Sequence, residues 1–158
     1  MNSLVISLIA FVLSTPLVVK SPAFKDNTFI PGQFTCMGAN TSPQLDITDI
    51  PAKTVTLVVI MDDPDAEGGT FDHWLMWNIP VTDKIEEGSA LGVQGKNSKL
   101  ENKYTGPCPP SGTHHYHFKV YALDTKLDIE SDSDKSKLLA AMQGHILSSG
   151  ELTGLYKK

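Results

Sequence analysis

Three of the five histidines in the chain, His114, His115 and His117, lie within four positions of one another. They sit directly behind a proline-rich turn in the stretch GPCPPSGTHHYHF, residues 106–118. Imidazoles at this spacing could hold a metal ion, move protons or donate hydrogen bonds to an anion. Strand alternation separates them. In HYHFKVYAL, residues 115–123, Tyr116, Phe118, Val120 and Ala122 share one face, while His115, His117 and Lys119 share the other. The apolar face reads as the core side. His114 and Tyr116 then point inward at the start of the strand, and His115 and His117 are expected in solvent. A His and a Tyr at the rim of a core form a polar mouth to an apolar pocket. On this stretch alone, a strand end with a few surface histidines accounts for the pattern equally well. Under either reading the three histidines are not ligands of one ion.

A second constellation is MDDPDAEGGTFDHW, residues 61–74. Asp62, Asp63 and Asp65 crowd the exit of an apolar run, and His73 opens the next one. Taken alone, this is a polar turn built around a proline. Parity adds to it: Val55, Leu57, Val59 and Met61 share one strand face that Asp63 continues, and His73 shares parity with Leu75 and Trp77. A carboxylate and an imidazole are thus expected to meet at one end of the fold.

The elements that must carry these residues are mostly strands. TVTLVVIM, residues 54–61, is a short β-branched apolar run, better suited to a buried strand than to a helix. HWLMWNIP follows as a second strand that stops at Pro80. HYHFKVYAL is a third, and Gly, Pro, Asn and Asp punctuate the intervening stretches. The pattern predicts a mainly β fold, an antiparallel β-sandwich with long connections. Only residues 133–150, SDKSKLLAAMQGHILSSG, read as helix. They open on a Ser/Asp cap and place Leu138, Met142, His145 and Ile146 on one stripe. Gly144 weakens the helix, and His145 on that stripe is expected to be structural.

A chain of 158 residues suits one domain with a single core. The net charge of −5 argues against a nucleic-acid binder, which would carry a basic face. LVISLIAFVL, residues 4–13, is too short to span a bilayer, which takes about 20 residues. It fits the apolar region of a secretory signal, with Val12 and Ser14 suiting cleavage before Thr15, although the first basic residue is Lys20. Residues 1–14 are therefore expected to be a signal peptide ahead of a single domain at 15–158. Cys36 and Cys108 bear on the same question. In a secreted or periplasmic protein an even pair is expected to be bridged, whereas in a cytoplasmic one both would be free. The two readings stand or fall together.

DDPDA followed by HW, then GPCPPSGTHHYHF and YALD, resembles the phosphatidylethanolamine-binding protein family. The likeness is greatest to its small bacterial and archaeal branch, the Raf kinase inhibitor-like proteins. SPAF, IPGQFTCMGANTSPQL, GHIL and LTGLY extend it from about Leu17 to Tyr156, leaving residues 1–14 as surplus ahead of the first strand. The resemblance implies an antiparallel β-sandwich with a few helices and a small anion pocket, which in the family accepts phosphate, acetate or a phospholipid head group. Carried over by position, the pocket residues are Asp63, His73, His114 and Tyr116, with the backbone N–H of Cys108. His115 stands where the family usually has arginine, and Glu67 where it usually has proline.

The resemblance thus implies a non-enzymatic binding module for a small anion or phosphorylated head group. A kinase or a protease would be its protein partner, no cofactor is expected, and a homodimer is left open. The competing reading is a metal-dependent hydrolase using His73, His114 and Asp63, since two His and one carboxylate can hold a catalytic metal. The sequence has no HExxH, no serine elbow and no Gly-rich phosphate loop to favour an enzyme.

Overall fold

The computed structural model describes residues 15–158. The expected signal peptide at 1–14 lies outside the described residues. Strand β4 (Thr56–Asp63) is the axis of the molecule, and all eight of its residues are buried. It pairs antiparallel on one side with β5 (Phe71–Pro80) and on the other with β8 (Thr113–Leu123). Bonding on both edges satisfies the backbone polar groups that such burial demands. Burial extends to both faces, in keeping with the buried strand expected from this run. Leu57, Val59 and Met61 enter one apolar cluster, while Val58 and Ile60 enter a second. Val55 precedes the strand and is 49% exposed.

Among the described residues, the central sheet also takes in β2 (Thr28–Phe29), β7 (Val93–Gln94) and β9 (Ile146–Lys157), in the order β2-β9-β8-β4-β5-β7. A second sheet of β1 (Val18–Lys20), β3 (Leu45–Thr48) and β6 (Lys84–Ile85) packs over one face. Leu17, Val19, Leu45, Ile47 and Ile85 meet Leu57, Val59, Phe118 and Val120 in the main core between the sheets. Helix α1 (Lys135–Met142) covers the opposite face, where Leu138 and Met142 pack with Val58, Ile60, Leu75 and Trp77. The expected sandwich is present. Among the described residues its one departure from antiparallel pairing is the short parallel contact of β2 with β9.

The C-terminal region differs from its sequence reading. Asp134 caps α1 by accepting the Lys137 N–H, but the helix ends at Met142. Gly144, at φ +81°, turns the chain, and residues 146–157 run as a strand along the full length of β8. The strand was hidden because glycines interrupt it, and they are there to admit close crossings. A Cβ on Gly150 would collide with the Leu17 carbonyl, and one on Gly154 with the Ile30 side chain. His145 is therefore not part of an apolar stripe. It is half exposed, with Nδ1 2.8 Å from Asp124.

Leu138→Ala should cost about 2–5 kcal/mol of stability, because a fully buried leucine leaves a cavity under α1. Leu139→Ala, at a side chain 42% exposed, should cost less than about 0.5 kcal/mol. Urea unfolding of the two variants distinguishes them. Equal losses would contradict the packing described.

Candidate functional site

The ends of β4, β5 and β8 converge at one edge of the sandwich. Asp63 continues the core-facing parity of Leu57, Val59 and Met61 and arrives beneath this edge, only 3% exposed. His114 and Tyr116 come from the start of β8, as strand alternation requires, and both are buried. His73 reaches the same place by a different route than parity suggests. Leu75 and Trp77 point to the α1 face, away from the site. Met61 pairs with Trp74 and Asp62 with Asp72, which leaves His73 as an extra residue in a β-bulge. The bulge re-aims the imidazole to the core side. There it stands edge-on to the Tyr116 ring at 5.2 Å and lies 4.7 Å from Phe71.

The four side chains and Cys108 surround one cavity of about 350 Å³. His114 Nδ1 donates to Asp63 Oδ2 at 2.7 Å, and the Asp65 N–H donates to the other oxygen at 2.8 Å. His73 Nδ1 donates to the Thr105 carbonyl at 2.6 Å, and the Thr105 N–H returns a bond to the His73 carbonyl at 3.0 Å. Each ring therefore commits Nδ1 and keeps Nε2 without a protein partner among the described residues. Burial holds the His73 pKa below its ordinary value, against the opposing pull of the Thr105 bond and the Asp63 charge. Burial, with Asp63 nearby, raises the Tyr116 pKa, so the phenol stays protonated. Its hydroxyl is buried without a fully formed hydrogen bond. The Cys108 N–H approaches it and partly offsets the effect of burial.

The opposite wall is the loop that leads into β8, and side-chain bonds and a disulfide anchor it to the 31–40 region. Tyr104 Oη donates to the Phe34 carbonyl, the Gly106 N–H donates to Asn40 Oδ1, and Cys36 is disulfide-bonded to Cys108. Gly106 has no room for a side chain, since a Cβ would strike the Phe34 carbonyl. Upstream, buried Asn97 shapes the turn that brings Lys99 to the cavity. Its amide donates to the Lys103 carbonyl and Thr105 Oγ1, and its oxygen accepts the N–H groups of Lys99 and Glu101. Lys99 and Asn97 were missed by sequence reasoning. Nothing in GKNSKLENK separates these residues from an ordinary polar loop.

The two positions that depart from the family pattern differ in placement. Glu67 lines the cavity. His115 is half exposed and clamps the loop after β4, because Asp65 Oδ2 accepts both its N–H and its Nδ1–H. The His115 bonds are the main cause of a lowered Asp65 pKa. His117 is turned to the other face of the sheet but is not freely solvated. It pairs with Glu151 at 2.5 Å, with its side chain 24% exposed. On that face Lys119 and Lys135 converge on buried Asp62 at 3.0 Å each, and Lys135 also bonds Asp72. Burial opposes the Lys135 charge, but its bonds to Asp72 and Asp62 prevail and raise its pKa.

His73, His114 and Asp63 thus come together as the hydrolase reading requires, but not as three free ligands. Both oxygens of Asp63 are engaged, which makes it the group that orients His114. Among the described residues no group of three His, Cys, Asp or Glu is placed to hold a metal ion. What the cavity offers is two imidazole Nε2 atoms, a phenol, a backbone N–H and an ammonium. That set recognises a small polar ligand.

Fold and site together define a two-sheet β protein with a polar ligand pocket closed at one end of its central sheet. The family model described as phosphatidylethanolamine-binding protein matches residues 20–157, and the chain belongs to that family. It is 44% identical to a UPF0098 protein of Pyrococcus horikoshii, over 87% of this chain and 75% of the other. A UPF0098 protein of Methanothermobacter thermautotrophicus is 41% identical, over 89% and 98% of the two chains. A crystal structure of a phosphatidylethanolamine-binding protein homolog from Chlamydia trachomatis superposes with a TM-score of 0.87 at 39% identity, covering 90% of this chain and 98% of that one. Escherichia coli YbcL gives 0.84 at 30% identity, covering 91% and 99%.

Two outcomes follow from this geometry. Because burial lowers the folded-state His73 pKa, its neutral ring stabilises the fold above the ordinary value of 6.5. That contribution is lost as pH falls below 6.5, where the unfolded chain takes up a proton first. Urea midpoints at pH 7.5 and 5.5 should therefore differ more in the wild type than in His73→Gln, and an equal difference would contradict the assignment. Replacing both cysteines with serine should cost about 4 kcal/mol by chain entropy, because the bridge spans 72 residues. Unfolding with and without reductant measures it, and a loss near zero would show that the 31–40 region anchors the wall without the bridge.

Proposed function

We propose that the cavity binds a small oxyanion, as free phosphate or as the phosphorylated end of a larger molecule, and performs no chemistry on it. The observation that carries this reading is the Tyr116 hydroxyl, buried in the cavity wall without a completed hydrogen bond. An unsatisfied buried hydroxyl costs roughly 1–3 kcal/mol, which a ligand oxygen would recover. The Cys108 N–H is a second donor and Lys99 supplies positive charge. His114, oriented by Asp63, donates through Nε2 when it is protonated. Regulation of a kinase or inhibition of a protease through this pocket is supported by the family resemblance. Export is supported by the Cys36–Cys108 bridge, since disulfides persist in oxidising compartments. Among the described residues no helix is long and apolar enough to cross a membrane.

Calorimetric titration with phosphate tests the reading. His114→Ala and Tyr116→Phe should each weaken binding by roughly 1.5–3 kcal/mol, the range for a hydrogen bond to a charged group. His117→Ala should change it little, because that ring lies across the sheet with Glu151. Equal losses from His114→Ala and His117→Ala, or no binding by the wild type, would reject it.

A further inference from the structure

The Cys36–Cys108 bridge stands at the surface, although Cys108 belongs to the pocket wall. Both cysteines are exposed, while their neighbours Phe34, Thr35, Gly106 and Pro107 are buried. A thiolate in solvent can therefore approach the bridge without opening the core. Upstream of Cys108 the wall has ties of its own. Tyr104 Oη donates to the Phe34 carbonyl, the Gly106 N–H to Asn40, and the Cys36 N–H to the Pro107 carbonyl. Downstream, residues 109–112 make no hydrogen bond among the described residues, until Thr113 enters β8 opposite Lys157. Cys108, Pro109 and Pro110 all line the cavity. The bridge is thus the last fixed point before an untethered stretch of pocket wall, and it holds the residue whose N–H approaches Tyr116 Oη.

We infer that the bridge is a thiol-exchange site through which a dithiol reductant sets the affinity of the pocket. This rests on the oxyanion reading above and adds a control to it. One thiolate of the reductant attacks a bridge sulfur, the S–S bond breaks, and the other cysteine leaves as a thiolate. The second thiol of the reductant then displaces the first cysteine. The reductant gives up two electrons and becomes a disulfide, and its two thiol protons end on Cys36 and Cys108. Cys108 then has no covalent anchor, and ordering its N–H again opposes binding. The remaining bond from the Cys36 N–H to the Pro107 carbonyl keeps the two thiols close, so an oxidised dithiol restores the bridge.

Dithiothreitol applied to the folded full chain tests this, with free thiols counted by mass after alkylation. The rate of reduction should rise in proportion to dithiothreitol, with no plateau at the rate of global unfolding. The fluorescence of buried Trp74 and Trp77 should stay as it was, showing that the reduced chain remains folded. NMR order parameters should fall on reduction at Cys108 and Ser111 but not at Gly106, which Asn40 still holds. Calorimetric titration should show inorganic phosphate binding about tenfold more weakly to the reduced chain. Saturating phosphate should then favour the bridge by the same factor, a shift of about 30 mV in its midpoint. Cys36→Ser/Cys108→Ser should bind like the reduced chain and be indifferent to dithiothreitol; if it fails to fold, the reduced wild type decides alone. Reduction limited by global unfolding, or unfolding of the reduced wild type, would overturn the inference and leave the bridge a structural brace. Equal phosphate affinity in the two forms would overturn it while leaving the oxyanion reading intact. If neither form binds phosphate, the oxyanion reading fails, and the exchange site stands or falls on the reduction kinetics and the order parameters.

Discussion

Two adjacent carboxylates at the end of one doubly buried strand must find partners on opposite sides of a sheet. Asp62 and Asp63 are 4% and 3% exposed, and an unpaired buried charge at either position would be prohibitively costly. Alternation sends Asp62 to the helix face, where Lys119 and Lys135 meet it. Asp63 goes to the core face, where it takes His114 Nδ1–H and the Asp65 N–H. Much of the local architecture serves this division. It fixes the register in which β8 must bring His114 and Lys119 to β4, and it holds the turn after β4 against β8 through Asp65 and His115.

The pocket's second wall is held by connections that are distant in sequence. Its loop forms no strand, yet Tyr104, Gly106 and Cys108 are each tied to the 31–40 region. Cys36 N–H adds a bond to the Pro107 carbonyl at 3.1 Å. Such bracing sets a backbone N–H before any ligand arrives, so little ordering entropy remains to oppose binding. The two histidines are oriented by unlike groups, a carboxylate for His114 and a neutral carbonyl for His73. That difference in second partner gives two chemically distinct imidazoles within one small cavity.

How legible this was in the sequence depended on whether the responsible signal was local. β4 and β8 announced themselves through uninterrupted β-branched runs and clean alternation, and with them the inward placement of Asp63, His114 and Tyr116. His73 was assigned to the right region by a parity that the bulge overrides, because an inserted residue leaves no mark until its partner strand is known. The start of the last strand, residues 146–150, was read into the helix and the rest was assigned no element, since leucine spacing near Leu138 is genuinely helical while Gly150 and Gly154 look like breakers. Their small size answers to Leu17 and Ile30, more than a hundred residues away, and no window on the chain contains both. Lys99 and Asn97 were invisible for a similar reason: their roles arise from a loop's shape, which Asn97 itself enforces.

Lys135, the first residue of α1, grips Asp62 and Asp72 together. Each of those residues is the chain neighbour of a pocket group, Asp63 on β4 and His73 on β5. The ammonium therefore acts as a rivet through the two strand ends, fastened on the helix side while the carboxylate and imidazole project on the other. Backbone displacement at the pocket floor would have to stretch that rivet or carry the helix with it. The cavity's stiffness thus has its source outside the cavity, in an ion cluster on the opposite face of the sheet.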